Sequence, residues 1–231
     1  MNKFDNIKKS SYKANLDLME SKLVIQNFGN VSIRHENHII IKPSGVNLKK
    51  VSFNNMVSVN IFDEKYTGQL KPSSDTPTHI ELYKSYSDIQ SIVHTHSPYA
   101  TSWAQAGLPI PCFGTTHADF WEDKIPITRK LKKKEIETNY EKNTGLVIIE
   151  TFRNLKITPL KSPGVLVNNH GVFTWGESYY EAIKNAEAIE LIAEMAFNSL
   201  MINPNLKPLN KILHNKHFYR KHGKNKYYGQ E

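Results

Sequence analysis

The stretch Ile92-Val93-His94-Thr95-His96-Ser97-Pro98 sets the frame for reading this chain of 231 residues. An apolar run enters it, and Ser97-Pro98 at its exit reads as a helix N-cap followed by proline at the first helical position. His94 and His96 are therefore expected at the end of a strand, where residues two apart project to the same side. Two imidazoles on one face at the carboxyl end of a strand can share one metal ion. Two unrelated polar residues at a strand end would look the same, so the rest of the chain has to supply the missing ligands.

Downstream, Gly164-Val165-Leu166-Val167 reads as a strand that ends near His170-Gly171. A histidine leaving a strand beside a glycine is well placed to be a third ligand. Upstream lie two small, hydroxyl-bearing segments. Lys42-Pro43-Ser44-Gly45 follows the strand Ile39-Ile40-Ile41, and its backbone N–H groups and hydroxyl suit an anion. Lys71-Pro72-Ser73-Ser74-Asp75-Thr76-Pro77 leads into a helix, with Thr76-Pro77 as N-cap and first helical proline. Ser73 and Ser74 then precede a helix N-terminus, where the dipole favours phosphate. Asp75 at the same mouth is either a cap or a carboxylate facing the metal. His79 falls inside the helix and reads as structural. His94, His96, His170 and a carboxylate would suit zinc or another borderline divalent ion. A metal beside an anion pocket points to Lewis-acid chemistry on a phosphorylated carbonyl compound.

Elsewhere, residues 11–28 show helical spacing with Gly29 as the stop, and Val31 to Arg34 alternate as a strand. Glu36-Asn37-His38 reads as a turn, with His35 and His38 at the surface. A helix is expected from Pro98 to Gln105, a polar loop around Asp119, a short amphipathic helix over 131–143, a buried segment over 145–152, and a long amphipathic helix over 178–200. Asp119 is a turn residue or a general acid/base. The tail from His217 to Gln230 reads as a basic end lacking fixed structure, though its paired tyrosines are unusual there.

The length suits one α/β domain spanning 1–231. Cys112 is the lone cysteine, which excludes an intrachain disulfide and fits a reducing cytosol, so a cytoplasmic location is expected. No apolar run is long enough to span a membrane. The net charge is +8, yet Arg34, Arg129, Arg153 and Arg220 are the only arginines. Base readout and phosphate clamps favour arginine, and the basic run Arg129 to Lys134 leads straight into Glu135 and Glu137. It reads as a solvated helix start, and no nucleic-acid partner is expected.

Several segments in this order carry a family resemblance: Gly29-Asn30-Val31-Ser32, Lys42-Pro43-Ser44-Gly45-Val46, Pro72 to His79, His94-Thr95-His96-Ser97, Gly114-Thr115-Thr116-His117-Ala118-Asp119, Pro163 to Val167, His170-Gly171, and Lys221-His222-Gly223 with Tyr227-Tyr228-Gly229-Gln230. Together they make the chain resemble the class II aldolase/epimerase family, and within it the 4-epimerases that interconvert L-ribulose 5-phosphate and D-xylulose 5-phosphate. The resemblance implies an α/β fold, a three-layer α/β/α sandwich with a mostly antiparallel central sheet. It implies a homotetramer with active sites between subunits, acting on a phosphorylated ketopentose. It implies Asp75, His94, His96 and His170 as ligands of Zn2+, with Mn2+ or Co2+ as alternatives. Gly29, Asn30, Lys42, Ser44, Gly45, Ser73 and Ser74 are implied as substrate and phosphate contacts. Asp119 and Tyr228 are implied as the acid/base pair, reaching in from a neighbouring subunit, with Glu141 and His217 at secondary positions. Departures from the pattern are small: Asn168-Asn169 before His170, Leu48 where an aromatic is common, and Glu231 beyond the usual end. Sister aldolases carry Glu where this chain has Asp75. A metal-dependent lyase or hydrolase and a nucleic-acid-binding module are the remaining alternatives.

Overall fold

The computed structural model describes residues 3–24, 26, 28–224 and 226–229. Gln230 and Glu231 lie outside them. In chain order the elements are α1 (Lys3–Glu20), β1 (Gly29–His35), β2 (His38–Ile41), β3 (Val57–Asn60), β4 (Tyr66–Thr67), α2 (Thr76–Ser85), β5 (Ser91–Thr95), α3 (Pro98–Ala106), α4 (Thr115–Ala118), α5 (Lys133–Glu137), α6 (Tyr140–Leu155), β6 (Gly164–Leu166), β7 (Val172–Gly176), α7 (Tyr179–Ile202) and α8 (Lys211–His222). The strands form one seven-stranded sheet in the order β4-β3-β2-β1-β5-β7-β6. Every neighbouring pair is antiparallel, and an isolated parallel bridge between Ile127 and Leu166 adds to the far edge.

Strand alternation divides the core between two faces. Ile39, Ile41, Val57, Val59, Ile92 and Phe173 pack with Ile80, Leu82 and Tyr83 of α2 and Ile148 and Phe152 of α6. Val31, Ile33 and Val93 point the other way, onto Ala14 and Leu18 of α1 and Ala182, Ile183 and Ala186 of α7. Leu166 and Val172 continue that second face beneath α3 and α7. Helices thus cover both faces of an antiparallel sheet, the sandwich that the family resemblance implies.

Local structure differs from the spacing argument in several places. The first helix runs over Lys3–Glu20 rather than 11–28, because Lys22 turns at positive φ and Leu23 drops into the core. Gly29 opens β1 instead of stopping a helix; a Cβ there would lie 2.9 Å from the His94 carbonyl oxygen. The 131–143 segment splits into α5 and α6 around Thr138, and the 145–152 run belongs to α6. Arg129, read as part of a solvated cluster, is braced by Glu135 at 2.8 Å and Glu150 at 2.7 Å. The tail is not structureless: α8 forms because His214 and Phe218, one turn apart, are both buried. His38 pairs with His35 at the end of the β1–β2 ladder rather than sitting in the turn.

Asn15 of α1 shows how helix and sheet are joined. β2 leaves the ladder after Ile41, opposite Ser32. At the next position, Val31, the Asn15 amide substitutes for the departed strand: Nδ2 donates to the Val31 carbonyl at 2.9 Å, and Oδ1 accepts the Val31 N–H at 2.9 Å. Asn15 is 2% exposed, so water cannot replace it. Asn15→Leu strips both partners from buried backbone and is expected to cost about 2–3 kcal/mol, or roughly 5–10 °C in Tm. A melting curve matching that of the native protein would show that Asn15 does not complete the ladder.

Candidate active site

β5 lies between β1 and β7, and its end meets the hairpin joining β6 to β7. His94 is the fourth residue of β5, and His96 follows the strand. His170 sits inside the hairpin turn, four residues beyond β6, rather than at the end of that strand. The turn is closed by Val167 N–H donating to Gly171 O at 2.8 Å and His170 N–H to Val167 O at 2.9 Å, with Asn169 at positive φ. Gly171 allows the hairpin to press onto β5: a Cβ there would lie 2.6 Å from the Thr95 carbonyl oxygen and 3.4 Å from both the His94 and His96 rings.

This closure brings ring nitrogens of His94, His96 and His170 within 4.8 Å of one another. His94 Nδ1 faces the Val172 carbonyl at 2.9 Å and so carries the proton, leaving a lone pair on Nε2. That Nε2 lies 3.0 Å from His96 Nε2. Either His96 donates a hydrogen bond there or a cation takes both lone pairs. His170 Nδ1 lies 3.2 Å from the Tyr140 hydroxyl, and Phe173 stacks on His94 at 4.2 Å. Burial, reinforced by the His94 ring, pushes His96 down to about 4 and His170 to about 3. These imidazoles are neutral at physiological pH, with lone pairs available. The donor set therefore fits a divalent cation of borderline softness.

Asp75 occupies the N-cap position of α2, one residue earlier than expected from Thr76-Pro77, yet its side chain makes no capping bond. Its Oδ2 instead accepts from Asn30 Nδ2 at 2.6 Å. Burial raises the Asp75 carboxyl, but the facing His94 and His79 rings and the Asn30 amide hold it below its ordinary range. Asp75 faces the imidazoles but is not within the 4.8 Å group that they form. His79 is structural in position, with Nδ1 2.7 Å from Ser32 Oγ. The two hydroxyl-bearing loops are zipped together: Ser44 N–H donates to Lys71 O and Ser73 N–H to Lys42 O, each at 3.0 Å. Lys42 is 5% exposed, its amine pushed down by burial.

A pocket of about 220 Å³ gathers these parts, lined by Gly29, Asn30, Lys42, Ser44, Gly45, Ser73, Ser74, Asp75 and the three histidines, with Phe28 at its edge. The helix after the His-x-His strand offers no rival anion site, because the Glu190 carboxylate already accepts Tyr99 N–H at 2.8 Å and Ala100 N–H at 2.9 Å. A hollow of about 300 Å³ beside α7 is lined mostly by apolar groups such as Phe113, Ile192 and Met195, and lacks such a donor set. Phe28, Tyr140 and Phe173 escaped the sequence reading. Tyr140 adjoins Glu141, which the family pattern does mark, and nothing in the spacing points to the other two.

Asp119 and Tyr228 do not line this pocket. Asp119 ends α4, not a loop, and faces α8: its carboxylate meets Arg220 at 3.0 Å, His217 at 3.1 Å and Lys221 at 3.3 Å. Tyr228 joins the same group, its ring centroid 4.6 Å from the Arg220 guanidinium and 4.5 Å from Lys221 Nζ. Within one chain, the structure thus assembles two groups of expected site residues and keeps them apart. Glu141 lies in the first turn of α6, its carbonyl accepting the Thr78 hydroxyl at 2.5 Å.

Among solved structures, an L-fuculose 1-phosphate aldolase is similar in fold, with 20% identity and a TM-score of 0.76 over 92% of this chain and 94% of that one. The L-fuculose 1-phosphate aldolase from Glaciozyma antarctica PI12 is 14% identical with a TM-score of 0.73, over 93% and 80% of the two chains. A sugar-phosphate aldolase from Thermotoga maritima is 19% identical with a TM-score of 0.66, over 88% and 99%. At these identities the likeness is one of fold. Residues 10–197 match the sequence profile of the class II aldolase and adducin N-terminal domain. That match spans most of the chain, and the protein belongs to the class II aldolase and adducin N-terminal domain family.

Proposed function

We propose that this protein is a metal-dependent L-ribulose-5-phosphate 4-epimerase that works by retro-aldol cleavage and re-addition. The observation that carries the reading is one pocket in which three converging imidazoles and Asp75 stand beside two joined hydroxyl-bearing loops. A divalent cation, Zn2+ or else Mn2+ or Co2+, would be held by His94, His96 and His170 with Asp75. C4 of a ketopentose phosphate has no adjacent carbonyl and is not acidic, whereas the C3–C4 bond lies next but one to the C2 carbonyl and can break. The bound cation supplies Lewis-acid stabilisation for negative charge arising on the C2 oxygen.

The chain's own groups do the rest in this reading. Ser44, Gly45, Ser73 and Ser74 hold the phosphate, with Gly29, Asn30 and Lys42 around the sugar. Cleavage leaves a dihydroxyacetone enediolate and glycolaldehyde phosphate. The anchored phosphate lets the aldehyde turn its other face before the bond re-forms. Asp119 and Tyr228 act from opposite faces, one taking the C4 hydroxyl proton and the other returning a proton to the new oxygen. Both come from a neighbouring subunit, which accords with their absence from the pocket of their own chain. A homotetramer also gives a use to exposed apolar residues such as Ile202 and Ile212, 85% and 81% exposed.

The fold's likeness to L-fuculose 1-phosphate aldolases favours a second reading, an aldolase that stops after cleavage. Asp75 weighs against it. In the family pattern the aldolases are implied to carry a longer Glu at this position as a proton donor to carbon, whereas here the shorter carboxylate is tied to Asn30 at 2.6 Å.

His94→Asn is expected to lose stoichiometric divalent metal and activity together, measured by elemental analysis and turnover; retention of the metal would reject the ligand set. In a coupled assay, L-ribulose 5-phosphate should yield D-xylulose 5-phosphate, chelator should abolish the conversion, and deuterium at C4 should stay at C4. Loss of that deuterium to solvent would show deprotonation at C4 and end the retro-aldol reading. Mixing inactive His96→Asn with inactive Tyr228→Phe protomers should restore partial activity. If confirmed hybrids stay inactive, the site is not shared between subunits.

A further inference from the structure

We propose that Arg220 is a positioning residue that holds Asp119 and Tyr228 together as one proton-transfer unit. The inference rests on the reading of those two residues as the acid/base pair. Arg220 lies in the last turn of α8. Its Nη2 donates to both Asp119 oxygens, at 3.1 and 3.0 Å, and its Nε donates to Oδ1 at 3.3 Å. The same guanidinium lies 4.6 Å from the centroid of the Tyr228 ring. Its backbone carbonyl accepts the N–H of Tyr227 at 3.0 Å and of Tyr228 at 3.2 Å. One residue therefore orients the carboxylate with its planar fork, attracts the phenol ring with its charge, and sets where the chain beyond α8 places Tyr228.

Geometry makes arginine hard to replace here. A lysine ammonium is a point donor and cannot grip two carboxylate oxygens while lying flat against a ring. Lys221 already supplies such a point charge, 3.3 Å from Asp119 and 4.5 Å from the Tyr228 ring. The groups facing Asp119 from α8 are His217, Arg220 and Lys221 at its carboxylate and His222 at its backbone carbonyl. From α7, Lys184 lies over the ring of the adjacent Phe120, and on α4 His117 turns away to the Asp123 carbonyl. Burial raises the Asp119 carboxyl, but hydrogen bonds from Arg220 first, then His217 and Lys221, hold it below the usual carboxylate range. Loss of Arg220 therefore moves that carboxyl upward and delays its ionisation as pH rises.

The test compares Arg220→Ala and Arg220→Lys with Asp119→Asn and Tyr228→Phe in the full-length, metal-loaded protein, reading kcat, KM, metal content and the pH profile. Both Arg220 variants should keep their metal and KM, lose kcat by about 10- to 100-fold, and shift the acid limb of kcat to higher pH. Added guanidinium ion should restore part of the kcat of Arg220→Ala and none of that of Asp119→Asn. Native kcat and an unmoved acid limb in Arg220→Ala overturn the proposal. So does a fall in kcat with neither limb shift nor rescue, which marks a merely structural role. If Arg220→Ala does not fold, Arg220→Lys decides by its acid limb and its split between kcat and KM. Native turnover in both Asp119→Asn and Tyr228→Phe would instead remove the acid/base reading itself, a failure distinct from that of Arg220.

Discussion

The close approach of the β6–β7 hairpin to β5 is the constraint on which the candidate centre depends. Gly171 leaves no side chain between the hairpin and Thr95, so the Val172 carbonyl reaches His94 Nδ1 and Phe173 lies flat on the His94 ring. The imidazoles are thereby dried and oriented in one step. Burial favours the neutral forms of His96 and His170, so protons do not compete for their lone pairs at neutral pH. At His94, which is buried, the Val172 carbonyl on Nδ1 fixes the tautomer and leaves the Nε2 lone pair facing the His96 ring.

The sheet register carries this order across to the two hydroxyl-bearing loops. Asn30 of β1 sits directly opposite His94 of β5 and reaches the other way to Asp75 at the head of α2. The loop after β2 and the loop before α2 are joined by reciprocal backbone bonds and by a bridge between Pro43 and Pro72. The distance between imidazoles and hydroxyls is therefore set by paired backbone on both sides, not by free loops. Glu190 occupies the neighbouring helix start, which leaves the head of α2 as the open N-terminus beside the pocket.

Much of this was legible because it is local. Strand periodicity places His94 and His96 on one side, and Ser-Pro and Thr-Pro pairs mark helix starts whatever the tertiary context. The failures come where distant contacts decide. The end of α1 is set by Leu23 entering the core, and α8 exists because His214 and Phe218 are buried against the rest of the fold. The partners of Asp119 lie about a hundred residues further along, so no window of sequence could join them. Tyr140 reaches His170 across thirty residues and stands in a segment whose pattern speaks only of a helix.

The charge of the molecule takes on meaning at the Asp119 corner. A net +8 spread over a surface says little about partners, and most lysines here are solvated. At this corner Arg220 and Lys221 face the single carboxylate of Asp119, and the nearby Glu122 is already paired with Lys161 at 2.9 Å. The local balance is positive, beside a phenol that is 56% exposed. A carboxylate held ionised within a positive setting can meet a phosphorylated substrate without repelling it, which a bare aspartate could not. In the proposed reaction, the same cations that keep Asp119 ionised would also let it approach a doubly charged sugar phosphate.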